Sequence, residues 1–399
     1  MKSHALARVV QEIKTGDFLD RARVRRIAVI YLVVTVASLA VLLATSDGLK
    51  DALGRPLGSD FVAFHVAGAI ALEDGGAAAY NPEKQYAEHR ELLGEEAPRF
   101  WPFLYPPAFI FIAMGLASLP YLAGWLAWMA GTLGLYAGAM QKLAPGKFAG
   151  LLALAFPPVY TNFLHGQNGF LIAALFAIGL HLLSARRAIL AGLALGLIAI
   201  KPQYGLLIPV ALAAAGEWRA FAAAAASAAS LAALPTLAFG PDAWTGFFAT
   251  MQAARIEVVE AGAIGFEKIE SVFAQARFLG APVALAYAAQ GAMIVALIAF
   301  VFLLWRSKAR DEAKGGGLIV ASILATPYAV DYDLVILAPA MALLIRDGLA
   351  RGFAPYEKTI YLFAAFAPVI ARPIGAATHL SMGLAGMLFL LAVALRRTR

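Results

Sequence analysis

The sequence predicts an all-α polytopic membrane protein, and three observations carry that expectation. Hydrophobic residues make up 61% of the 399-residue chain and charged residues only 14%, with a mean hydropathy of +0.75; a soluble domain carries about 25% charged residues. About a dozen apolar stretches recur along the whole length, so one membrane domain is a better expectation than several soluble ones. Cations crowd the N-terminus immediately before the first apolar run, the pattern of a segment retained inside. Cysteine is absent, which excludes disulfides, thiolate metal sites and cysteine nucleophiles.

Residues 1–26 form the first element. Lys2, Arg8, Lys14, Arg21, Arg23, Arg25 and Arg26 outnumber Glu12, Asp17 and Asp20, and Leu6, Val9, Val10 and Ile13 recur at helical spacing beside Arg8 and Lys14. This reads as a basic amphipathic helix on the cytoplasmic surface. Residues 27–399 then form a single membrane domain that begins with the apolar run 27–44.

The segment 104–119 decides the topology, because counting it as a full span reverses every later loop. If it does not cross, 22 of the 32 lysines and arginines lie inside; if it does, only 12 do, against the positive-inside rule. The sequence therefore predicts twelve spans with both termini inside, and 104–119 as a re-entrant or surface helix starting at Tyr105-Pro106-Pro107. The acids divide as 8 inside and 17 outside, which makes the outer face −7 and the inner face +14. The overall +7 thus concerns orientation and attraction to anionic inner-leaflet lipids, and nucleic acid is not an expected partner.

Two sizeable loops lie on the outer face. The first, 46–103, holds ten acids and two helix-like stretches, 60–72 and 82–93, joined by Glu73-Asp74-Gly75-Gly76. The second, 240–280, carries an amphipathic stripe of Trp244, Phe247, Phe248 and Met251. The inner loops are short, so the chemistry is expected outside. Three central stretches, 170–183, 188–200 and 204–216, have 13 or 14 residues, or roughly 20 Å of helix against a hydrocarbon core of about 30 Å. Their outer ends carry His165-Gly166-Gln167-Asn168 and Lys201-Pro202-Gln203, which predicts a recessed polar chamber open to the outside.

Several residues could carry chemistry there. Asp60 could be a general base or an N-cap. Lys201 is one of two outer cations beyond the large loops, with Arg372 the other, and reads as an anion partner or as a snorkelling helix-end lysine. His165, Gln167 and Asn168 could bind substrate or satisfy broken helix ends. Asp331-Tyr332-Asp333 has the D-x-D pattern of metal-dependent nucleotide-sugar enzymes, but between apolar spans it suits substrate hydroxyls or helix capping. The histidines His65, His89, His165, His181 and His379 show no ligand spacing, so no metal is expected.

Taken in order, Asp60-Phe61 with Phe64, Ala67 and Gly68, then Tyr80-Asn81-Pro82, Tyr105-Pro106-Pro107, His165-Gly166-Gln167-Asn168, Lys201-Pro202-Gln203 and Asp331-Tyr332-Asp333 resemble glycosyltransferase family 87. These are GT-C fold enzymes that include bacterial polyprenyl-phosphate-mannose-dependent α-1,2-mannosyltransferases. The resemblance runs roughly from 59 to 337. It implies a GT-C glycosyltransferase fold, a lipid-linked sugar donor, a lipid or glycan acceptor, and Asp60 as the catalytic base. It also implies a place in the bacterial inner membrane with the active site on the non-cytoplasmic face. Lys201, His165, Gln167, Asn168 and Tyr105 are then expected at the donor phosphate and sugar, and Arg372, which lies beyond the resemblance, is placed with them by its position alone. His65, Tyr80, Asn81, Gln203, Asp331 and Asp333 are expected among the other substrate contacts. Neither a cofactor nor a metal is expected, because a phosphate leaving group needs no protonated acid and Lys201 with His165 or Gln167 could stabilise its growing charge in place of a metal. A secondary transporter or flippase is the alternative, but such proteins show related halves, and the first outer loop has no counterpart in the second half.

Overall fold

The computed structural model describes residues 2–94 and 101–398. The chain is 77% helical, and the described residues form no strand, only isolated bridges such as the one between Ile269 and Val330. Among the described residues, four helices are apolar and long enough to cross a membrane alone: Arg21–Ala44, Trp218–Phe239, Val283–Arg306 and Glu357–Thr378. At 22 to 24 residues each they reach about 33 to 36 Å. The first buries only Ala28 and leaves Val29, Ile30, Val33 and Val34 exposed, the surface a lipid-facing helix needs.

Helices in the interior approach closely where small residues face backbone. A Cβ on Gly68, in the helix Phe61–Asp74, would lie 2.1 Å from the Ala113 carbonyl oxygen of the helix Ala108–Ala117. One on Gly192 would lie 2.2 Å from the Ala220 carbonyl oxygen across the pair Ala188–Gly196 and Trp218–Phe239. Glycine is what permits each contact. Ala108–Ala117 follows Tyr105-Pro106-Pro107 and has 10 residues, about 15 Å of helix and too short to cross.

The first loop folds as its residues direct. Asn81 accepts from Lys84 N–H and Pro82 opens the helix Pro82–Leu93, a pairing of cap and proline that suits a first turn. In the second loop the aromatic stripe lies on the helix Asp242–Ala254, and Ser271 caps the helix Val272–Phe278. The N-terminal helix spans Lys2–Thr15.

Three interruptions position the site. Pro158–His165 ends at Gly166 in the left-handed conformation (φ 69°), and Gly169–Ser184 starts afterwards. Ala188–Gly196 passes into 3-10 turns at Leu197–Ile200 and Pro202–Tyr204 before Ile208–Ala214 resumes. Proline lacks an N–H and disfavours helix in the residue before it, and Lys201 accordingly stands at φ −133°, ψ 75°. Of the three expected short stretches, the last two are thus shorter still as regular helix, whereas the first, Gly169–Ser184, has 16 residues. The third interruption is the 3-10 turn Asp331–Ile336, which leads into Leu337–Arg351.

At the other end of the bundle lies a separate ionic cluster. Fully buried Asp347 accepts from Arg351 (2.7 Å) and Arg397 (2.8 Å) and lies 3.3 Å from Arg310. Glu357 pairs with Arg397, and Glu312 takes Arg310 (3.2 Å) and Arg346 (3.1 Å).

Candidate active site

Asp60 follows the turn at Gly58 (φ 65°), and its backbone N–H donates to the His165 carbonyl at 2.9 Å. The loop 46–103 is therefore stitched directly to the first interruption. Although Asp60 precedes the helix Phe61–Asp74, its side chain makes no capping bond. The carboxylate instead faces side-chain donors from Gln167, Ser59 and His165. Gln167 Nε2 donates to Oδ2 at 2.8 Å, while the Ser59 hydroxyl lies 3.3 Å and His165 Nδ1 3.5 Å from Oδ1. Burial opposes its charge, but hydrogen bonds from His165, Gln167 and Tyr332 outweigh that and hold the carboxyl below its ordinary range. The side chain keeps 22% exposure, so one side of a largely enclosed carboxylate stays accessible.

Orientation of the neighbours follows from which atoms can donate. Gln167 Oε1 accepts from the Tyr105 hydroxyl at 2.7 Å and from Asn168 N–H at 3.3 Å, which turns the amide nitrogen towards Asp60. Tyr105 is itself seated in an aromatic cluster, with ring centroids 5.0 Å from Phe64 and 4.7 Å from Phe109. Arg372 Nη2 lies 3.3 Å from His165 Nε2. Arginine only donates, so that nitrogen accepts and Nδ1 carries the proton, towards Ser59 at 2.9 Å.

The Asp-Tyr-Asp turn supplies two anions to two cations. Buried Asp331 accepts twice from Arg372, from Nε at 2.5 Å and Nη2 at 3.0 Å, a forked geometry that fixes the guanidinium plane. Buried Asp333 accepts from Lys201 Nζ at 2.6 Å, and Asn168 Oδ1 accepts from the same nitrogen at 3.3 Å. Lys201 does not snorkel: its side chain is 7% exposed and sits over the rings of Tyr204 and Tyr332. Arg372 keeps 38% exposure. Of the two cations, Arg372 is the one a ligand can meet directly.

The expected residues therefore divide. Asp60, Tyr105, His165, Gln167, Asn168, Lys201, Asp331, Asp333 and Arg372 form one linked group. Gln203 is half-buried in the turn after Lys201. The remaining three are tied elsewhere. His65 Nε2 donates to the Leu119 carbonyl at 3.2 Å, the Tyr80 hydroxyl donates to the Tyr105 carbonyl at 2.5 Å, and Asn81 caps a helix.

Sequence reasoning passed over Ser59, Tyr332, Asn162 and Glu270. The first two sit beside chosen acids, so adjacency could have found them. Asn162 donates to the Tyr332 carbonyl at 3.3 Å, joining the first and third interruptions. Glu270 is wholly buried, its Oε2 accepts from the Ser381 hydroxyl and Leu384 N–H, and its Oε1 has no hydrogen-bond partner. Burial pushes its carboxyl up to about 7, with Asp331 adding to the effect and Ser381 opposing it. A lone acid in Ile269-Glu270-Ser271 gave no sequence signal for such enclosure.

Neither a curated protein nor a solved structure matches the chain. The sequence model of one family does, over residues 103–327, which is more than half of the chain and includes Tyr105, His165, Gln167, Asn168 and Lys201. Asp60, Asp331, Asp333 and Arg372 flank that stretch in sequence yet meet it in space. The matching description is glycosyltransferase family 87, and the chain belongs to that family of membrane glycosyltransferases.

Proposed function

We propose that the protein transfers a sugar, mannose in the first instance, from a polyprenyl-phosphate donor to a hydroxyl of a lipid or glycan on the non-cytoplasmic face, with inversion. The observation that carries this reading is Asp60: an ionised, partly accessible carboxylate held by Gln167 and the Ser59–His165 pair, with no lysine or arginine in ion-pair contact among the described residues. Such an acid is free to take a proton. The acceptor hydroxyl passes its proton to Asp60 as its oxygen bonds to the anomeric carbon. The bond from that carbon to the phosphate oxygen breaks on the opposite face, and polyprenyl phosphate leaves with the electron pair.

A departing phosphate needs positive charge rather than a proton. Arg372 is the accessible cation and its fork is fixed by Asp331, so it meets the phosphate. Lys201, enclosed and paired with Asp333, acts from behind as a positioning residue that anchors Asn168 and the Asp-Tyr-Asp turn. Tyr105, Gln167 and Asn168 complete the donor side. The arrangement asks for no cofactor.

Twelve spans with both termini inside, a GT-C fold and a bacterial inner-membrane location complete the reading. The charge bias supports it, and so do the short and interrupted helices, whose ends must lie below the outer surface. The prenyl chain would reach the site sideways, past the helices Asp242–Ala254 and Val272–Phe278.

Reconstitution of the full chain with radiolabelled polyprenyl-phospho-mannose and membrane lipid acceptors tests this. The Asp60→Asn variant is expected to lose about 10²- to 10⁴-fold in kcat with donor binding retained. Full activity in that variant removes the base assignment, and absence of transfer from this donor by the wild type removes the donor assignment. A reporter fused at Gly146 should read cytoplasmic; a signal from the opposite side overturns the twelve-span topology.

A further inference from the structure

Two adjoining cavities, of about 310 and 440 Å³, lie where the N-terminal helix meets the 352–358 loop and the end of the last helix. Lys14, Thr15, Asp17 and Lys358 line the first, Arg351, Glu357, Arg396 and Arg397 line the second, and Phe353 and Ala354 are common to both. The walls are joined by specific bonds. Tyr356 N–H donates to the Lys14 carbonyl at 2.7 Å and the Thr359 hydroxyl to the Ile13 carbonyl at 2.7 Å. Tyr356 is held at φ 71°, a conformation costly for a bulky residue, so the contact constrains the loop.

The lining carries five cations (Lys14, Lys358, Arg351, Arg396, Arg397) against two carboxylates (Asp17, Glu357), with Asp347 behind them. Lys14 and Arg396 are exposed and have no acidic partner among the described residues, and Lys358 approaches Asp17 only at 3.5 Å. Arg397 is 5% exposed on its side chain and its Nη atoms are engaged by Asp347, Glu357 and Gly352, but its Nε–H is buried without a partner. Arg397 is thus already neutralised by two carboxylates, and it is the exposed Lys14 and Arg396 that leave positive charge at this surface for an anion to meet. Val9, Val10 and Ile13 on the adjoining helix are exposed apolar side chains, which suits a helix lying in the membrane interface.

From this geometry we infer that the paired cavities bind the phosphate headgroup of an anionic phospholipid of the inner leaflet. The site is remote from the sugar-transfer centre and does not depend on the donor assignment. Binding there fixes the amphipathic tail, the 352–358 loop and the C-terminal helix as one unit at the membrane surface.

The test uses full-length protein purified in detergent, with phosphatidylglycerol or phosphatidylcholine added, and native mass spectrometry to count retained lipid. Wild type is expected to retain phosphatidylglycerol about tenfold better than phosphatidylcholine. The double variant Lys14→Ala/Arg396→Ala, both exposed positions, is expected to lose that preference. The control Lys142→Ala/Lys308→Ala removes two other cations expected on the same face and is expected to keep it. Equal loss in the control, or full preference in the Lys14/Arg396 variant, overturns the proposal. So does saturation of the cavity by inorganic phosphate alone at a concentration that abolishes phosphatidylglycerol retention, which would make it a free-phosphate site.

Discussion

Two buried ionic clusters among the described residues are built on opposite plans. Around Asp347, Glu357 and Glu312, arginines from several helices converge until each carboxylate has at least one charged partner. Around Asp60 no lysine or arginine makes an ion pair among the described residues, and the two nearby cations are turned towards Asp331 and Asp333 instead. A saturated cluster fastens elements together. An acid deliberately left without a cation, beside one accessible arginine, is arranged for something that is not yet bound. Buried charge by itself therefore does not mark function; the distribution of counter-charge does.

The contrast is sharpest in a pair of asparagine variants. Asp60→Asn should abolish most turnover while moving the thermal midpoint little, because the asparagine side-chain oxygen can still accept from Gln167 while the charge that takes the proton is gone. Asp347→Asn should cost about 3 to 5 kcal/mol of stability by leaving arginines uncompensated, measured as a lower unfolding midpoint in detergent, with kcat per folded molecule unchanged. If the two phenotypes exchange, the comparison fails.

Glu270 gives the region around the candidate site a pH dependence close to neutrality. Its folded carboxyl at about 7 stands above the ordinary value of 4.5, so the folded state binds the proton more tightly. Its contribution, of order 3 kcal/mol, is fully present below about pH 4.5 and is lost as pH rises through about 7. Glu270→Gln should flatten that loss in a midpoint-against-pH series, and an unchanged slope would detach Glu270 from it. Asp60, held low, ionises before this window, so activity should not fall with acidity until pH drops below the ordinary carboxylate range.

Smaller effects follow from geometry. Arg372→Lys keeps the charge but loses the fork on Asp331, and about a tenfold fall in kcat/KM for the donor is expected; no change would show that the plane of the guanidinium is immaterial. Asn81→Ala should remove about 1 kcal/mol as a lost cap and leave the kinetics alone, and a large kinetic loss would return Asn81 to the substrate site.

Much of the fold could be read from local chemistry. Asn81-Pro82 announced a helix start, the aromatic stripe at Trp244 announced an amphipathic helix, and Lys201-Pro202 announced an interruption, because caps, periodicity and proline act over a few residues. Most of the residues that the structure gathers around Asp60 were also visible, since polar groups between apolar runs are conspicuous. Their roles were less so. His65, Tyr80 and Asn81 look as polar as His165 and Gln167, yet they serve backbone carbonyls and a helix end.

By itself, then, the sequence determined a helical membrane chain, where its helices start and break, and which residues are too polar for lipid to be accidental. Tertiary structure decided the pairing. Lys201 meets Asp333 across 132 positions and Gln167 meets Asp60 across 107. No local rule links such distances, because which acid neutralises which cation depends on how the interrupted helices stack. That choice left Asp60 uncompensated, buried Lys201 and kept Arg372 within reach of a ligand.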